Sequence, residues 1–96
     1  MTTETEWAGP AGALFRTLGS DTRLLILEHL REGEKTTNEL AGLVGVSKLN
    51  LTAHLQRLVR DNLVTMRRGK PAIYALARED VFIVLDAARG MFEGRK

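Results

Sequence analysis

Cysteine is absent from the 96-residue chain, and aromatic residues make up only 5% of it. Without thiols there is no disulfide framework, no thiolate zinc site and no thiol redox sensor. Long apolar runs are missing too. Runs such as Val81–Leu85 fall far short of the roughly 20 residues that a membrane span needs. The opening residues carry Glu4 and Glu6 without a basic stretch, so no secretory leader is expected. The expected compartment is the cytoplasm, with no membrane partner. His29 and His54 stand in no recognisable Ser/His/Asp or Cys/His motif, so an enzyme is not expected.

What is present fits one small domain, 44% hydrophobic, with a formal net charge of +2. A domain of this size often gains stability by pairing with a copy of itself. The near-neutral charge conceals segregation. Between Lys48 and Arg78 stand Lys48, Arg57, Arg60, Arg67, Arg68, Lys70 and Arg78 against Asp61 alone, a local charge of +6 in a chain whose remainder is acidic. Such a segment is the electrostatic footprint of a polyanion-binding face.

The apolar spacing predicts five helices and a β-hairpin. Residues 1–9 read as a flexible arm, residues 10–93 as the folded domain and residues 94–96 as a frayed tail. Pro10 suits a first helical turn, and Gly19 ends that helix. Ser20 and Asp21 can cap a second helix built on Leu24, Leu27 and Leu30 and closed by Gly33. Thr36 and Glu39 form a T-x-x-E capping box for a third helix ending at Gly45. Ser47 caps a fourth helix, with Leu51, Leu55 and Leu58 along one face, running to about Asn62. Two helices joined by a tight turn have the form of a helix-turn-helix. Leu63–Arg67 and Ala72–Leu76 read as strands around the turn Arg68-Gly69-Lys70-Pro71, a wing. Val81, Val84, Leu85, Ala88, Met91 and Phe92 form the stripe of a last helix starting at Glu79 or Asp80. The predicted class is mainly α with a small β-hairpin, in the order α-α-α-α-β-β-α.

At about 100° per residue, Leu51, Leu55 and Leu58 turn inward on the fourth helix. Leu49, Thr52, Ala53, Gln56, Arg57 and Arg60 turn outward. That division suits a helix lying in a DNA major groove. Thr52 and Gln56 can bond base edges, and Leu49 and Ala53 can touch a thymine methyl. Ser47 and Lys48 at the helix start suit phosphate. Asn50 flanks the face, and Arg57 and Arg60 suit the DNA backbone. Arg67, Arg68 and Lys70 on the wing suit a minor groove or its phosphates. A basic winged helix that meets an acidic protein co-regulator is the alternative reading.

These residues resemble the ArsR/SmtB family of bacterial winged-helix repressors. The resemblance runs from Phe15 to Leu76. It rests on Phe15–Arg23 followed by Leu24-Leu25-Ile26-Leu27, on Asn38-Glu39-Leu40-Ala41, on Val46-Ser47, on Thr52-Ala53-His54-Leu55, on Asp61-Asn62-Leu63-Val64 and on Tyr74-Ala75-Leu76. It implies a homodimeric transcriptional regulator, usually a repressor, on an inverted-repeat operator. Its first and last helices would pair with their mates through Leu14, Phe15 and Leu18 and through Val81, Val84, Leu85, Ala88, Met91 and Phe92. The family's metal ligands are largely missing. Thr36 and Asn38 stand at the two thiol positions of one family site. Asp80 and Glu93 are retained from another, where Phe82 and Lys96 replace its histidine and acid. His54 reads as a packed structural residue. His29, Asp80 and Glu93 are left as weak candidates for a divalent metal such as nickel or zinc.

Overall fold

A computed structural model describes residues 5–94. Helix α1 (Ala8–Leu18) follows a turn in which the Ala8 N–H donates to the Thr5 carbonyl at 3.1 Å. Pro10 is its third residue. The N–H groups of a first turn have no intrahelical acceptor, so proline sits there without losing a bond. The helix thus starts two residues before the predicted Pro10, and Ala8 and Gly9 belong to it rather than to the arm. Residues 1–4 of that arm, and Arg95 and Lys96 of the predicted tail, lie outside the described residues.

The predicted caps position the next three helices. In α2 (Asp21–Arg31) the Ser20 side chain accepts from the Arg23 N–H at 3.2 Å. In α3 (Thr37–Val44) both halves of the capping box form. The Glu39 N–H donates to Thr36 Oγ1 at 3.2 Å, and the Thr36 N–H donates to Glu39 Oε1 at 2.8 Å. The Thr36 backbone bond holds the Glu39 carboxyl below its ordinary range. Gly45 closes α3 at φ 82°, a left-handed conformation that glycine adopts without strain. Helix α4 (Lys48–Arg60) then starts at Ser47, whose hydroxyl accepts from the Asn50 N–H at 3.1 Å.

The wing strands β2 (Val64–Arg67) and β3 (Ile73–Leu76) are antiparallel, with Val64 opposite Leu76 and Arg67 opposite Ile73. A further strand, β1 (Lys35–Thr36), pairs with β3 and makes the sheet three-stranded in the order β1-β3-β2. The sequence predicts only the hairpin. Two residues are too few to show an alternating pattern, and Thr36 also serves as the cap of α3. Helix α5 (Val81–Phe92) closes the fold.

Ile26, Leu27, Leu40, Leu51, Leu55 and Leu58 have no solvent exposure and form the centre, joined by Val64, Tyr74, Phe82 and others. The apolar faces of α2, α3 and α4 therefore fix how the fourth helix is oriented.

Candidate nucleic-acid interface

The burial of Leu51, Leu55 and Leu58 leaves the opposite side of α4 to solvent. Leu49, Ala53, Gln56 and Arg60 are exposed there, Lys48 and Asn50 are exposed in the first turn toward its edges, and Thr52 is half-buried. Ser47 is exposed at the helix start, although its hydroxyl is occupied as the cap. The Thr52 hydroxyl donates to the Lys48 carbonyl at 2.8 Å. That leaves its oxygen lone pairs and its methyl group for an incoming partner.

The cations of the +6 segment fall into two groups. Arg57 Nε donates to Asp61 Oδ2 at 2.8 Å. Arg67 lies 3.2 Å from Glu34, and Arg78 lies 2.7 Å from Asp80. Their charges are largely compensated locally. Lys48, Arg68 and Lys70 are exposed and form no ion pair among the described residues. Arg60, 3.7 Å from Asp61 and mostly exposed, stands between the groups. Arg57, expected at the DNA backbone, is half-buried and paired with Asp61 four residues on.

Asp61 is the centre of a link between helices that the sequence did not suggest. The buried Thr17 hydroxyl donates to Asp61 Oδ2, joining α1 to the end of α4. That bond, and then Arg57, holds the Asp61 carboxyl below its ordinary range. Arg23 ties the same region together, with Nε donating to the Thr17 carbonyl at 2.6 Å and Nη1 lying 3.1 Å from His54 Nδ1. His54 is thus a packed residue of the helix junction.

The predicted pairing residues separate into two sets. Leu18, Val81 and Leu85 are buried in the core of their own protomer, which removes them from the outward face. Leu14 and Val84 pack on that core's edge. Phe15, Ala88, Met91 and Phe92 remain exposed, and Trp7 and Ile83 join them. Ala88 and Phe92 share Leu85's side of α5, within about 60°, and are exposed where that side runs past the core along the groove against α2. Ile83 lies about 160° from Leu85 around the axis, so the face opposite the core is Ile83, Ala87, Gly90 and Met91. Arg31 anchors α5 to α2, with its guanidinium on both Asp86 oxygens at 2.7 and 2.8 Å and 4.2 Å from the Phe82 ring centre.

The metal candidates do not converge within a protomer. Asp80 and Glu93 bracket α5, which its rise makes about 20 Å long. Both oxygens of Asp80 accept from Arg78, and Glu93 accepts from Arg89 at 2.9 Å. His29 shares with Glu93 an apolar groove between α2 and α5, lined also by Leu24, Leu25 and Phe92. Among the described residues no three His, Cys, Asp or Glu side chains come together.

A family model described as "Bacterial regulatory protein, arsR family" matches residues 20–66, from the cap of α2 into β2. The uncharacterised HTH-type transcriptional regulator Rv0081 of Mycobacterium tuberculosis is 38% identical over 77 residues, 78% of this chain and 68% of that protein. The chain spans 58–68% of the length of the curated relatives it matches. Among solved structures, the transcriptional repressor BigR from Xylella fastidiosa superposes with a TM-score of 0.88 at 28% identity, over 99% of this chain and 100% of that one. The homodimeric winged helix-turn-helix domain of Mb0332 from Mycobacterium bovis superposes with a TM-score of 0.79 at 26% identity, over 100% and 94%. On this fold and these relatives, the chain belongs to the arsR family of bacterial regulatory proteins, a family of winged helix-turn-helix regulators rather than enzymes.

Proposed function

We propose that the chain represses transcription as a homodimer bound to duplex DNA at an inverted repeat. The observation that carries this reading is the outer side of α4. Ala53 and Gln56 are exposed and Thr52 half-buried on α4 beyond its start at Ser47 and Lys48, and the wing carries the exposed cations Arg68 and Lys70. Side chains of these types match base edges, and the flanking cations match phosphates. Repression is supported by the likeness to BigR, a transcriptional repressor.

Dimerisation is supported by shape and by surface. The Cα radius of gyration is 14.5 Å, against about 12.5 Å for a compact domain of this length. Helices α1 and α5 expose Phe15, Ile83, Met91 and Phe92. A two-fold pair would set its reading helices about one DNA turn apart. The solved relative Mb0332 is itself homodimeric.

Mobility shift on duplexes enriched from a random-sequence library tests the reading. Wild type should retain a defined inverted repeat, and the Thr52→Ala, Gln56→Ala double variant should lose the preference for it. Equal retention of enriched and random duplexes by wild type would favour an acidic protein co-regulator instead.

A further inference from the structure

Leu49 is the most exposed large apolar side chain among the described residues, at 85%, yet it stands in the first turn of α4. Ala53, one turn on, is exposed on the same side, about 40° around the axis. A lone exposed leucine needs no explanation. This one belongs to an apolar facet set among Lys48, Asn50 and Thr52 on the side of the helix that otherwise offers only polar groups. Thr52 has its hydroxyl proton committed to the Lys48 carbonyl, so it can accept but not donate. No arginine occurs from Lys48 to Gln56. Arg57 is held by Asp61, and Arg60 lies 11 residues beyond Leu49, about 16 Å along the axis. Arginine is the commonest partner of guanine in the major groove, and it is missing from the first two turns.

We propose that Leu49 is a specificity-determining residue that reads the C5-methyl group of a pyrimidine, which is thymine in unmodified DNA. The thymine methyl is the apolar group that base edges present in the major groove. Ala53 extends the contact. Thr52 accepts from the amino group of an adjacent adenine. 5-Methylcytosine, which carries the same methyl beside an N4 amino donor, substitutes for thymine at this position, whereas uracil and cytosine do not. The assignment rests on the DNA-binding reading above.

The test uses the duplex that wild type enriches from a random-sequence library, with each thymine of the half-site replaced singly by uracil. At one position the loss of the methyl should weaken wild type about fourfold, and about fifteenfold when both half-sites are changed. 5-Methylcytosine there should bind more tightly than cytosine. Leu49→Ala, a change at an exposed helical site, should bind the thymine and uracil duplexes alike. Equal binding of the two duplexes by wild type, or an undiminished difference in Leu49→Ala, would overturn the assignment and leave the DNA-binding reading standing. If wild type enriches no sequence, the DNA-binding reading itself fails and this assignment falls with it.

Discussion

The division of the basic residues into paired and unpaired groups has a direct thermodynamic consequence. Each phosphate that a cation neutralises releases counterions, contributing about −0.9 to the slope of log K against log salt concentration. Lys48, Arg68 and Lys70 are the unpaired set, so a dimer offers two copies of each. Their combined slope is about −5, and between 50 and 200 mM salt the affinity should fall about a thousandfold. Arg68→Ala with Lys70→Ala removes four of these contacts and should reduce the slope to about −2, with only about a tenfold fall over the same range. Arg67→Ala should leave the slope within about half a unit of wild type, because Glu34 already compensates that guanidinium at 3.2 Å. Fluorescence anisotropy on one labelled duplex across a salt series reads all three slopes. A drop of about 1.8 in Arg67→Ala, the value for two lost phosphate contacts, would show that pairing in the free protein does not predict which cations meet DNA.

Three further outcomes follow from the packing. Asp61→Asn weakens the tie from α1 to α4 and should cost about 1–2 kcal/mol in urea unfolding at neutral pH. Because the folded carboxyl is held below its ordinary range by Thr17 and then Arg57, that stabilisation is present above about pH 4 and lost as pH falls through the lowered value. The gap between wild type and variant should therefore close on acidification; a gap that stays constant to pH 2 would contradict the linkage. Leu58→Ala empties a site with no solvent exposure and should lower unfolding free energy by about 2–5 kcal/mol; a loss below about 1 kcal/mol in the same urea measurement would contradict the central packing of α4. Ile83→Asp changes a side chain 75% exposed in the protomer, so the helical circular dichroism should be retained while light scattering reports monomer and the melting temperature falls with the lost association. A variant that remains dimeric would remove the outer face of α5 from the pairing surface.

The parts of this fold that were legible in the sequence are those fixed by local chemistry. Ser20, Thr36 and Ser47 each mark a helix start by a side-chain bond to a backbone N–H three residues on. Gly45 marks the turn by its left-handed backbone. Leu51, Leu55 and Leu58 orient α4 because the helical period alone decides which side is buried. The less legible parts depend on residues distant in sequence. The β1 strand exists because Lys35 and Thr36 meet Tyr74 and Ile73, and nothing near them signals it. The helical period gives the stripe of α5 but not where along it the core ends: Val81 and Leu85 are buried, whereas Ala88, Met91 and Phe92 further along the helix are exposed. The sign and place of the basic segment are legible in the sequence; the pairing of Arg67 is not, because its partner Glu34 lies 33 residues away.

The most direct test of the central claim uses the absence of cysteine from the chain. Asn50→Cys, exposed at the flank of the reading face of α4, provides a single thiol for an iron–chelate cleavage reagent. On the duplex enriched by wild type, the labelled protein should cut in two clusters facing the major groove, one in each half-site and about 10 base pairs apart. Cleavage confined to the minor groove, or spread evenly along the duplex, would contradict the assignment of α4 as the reading helix.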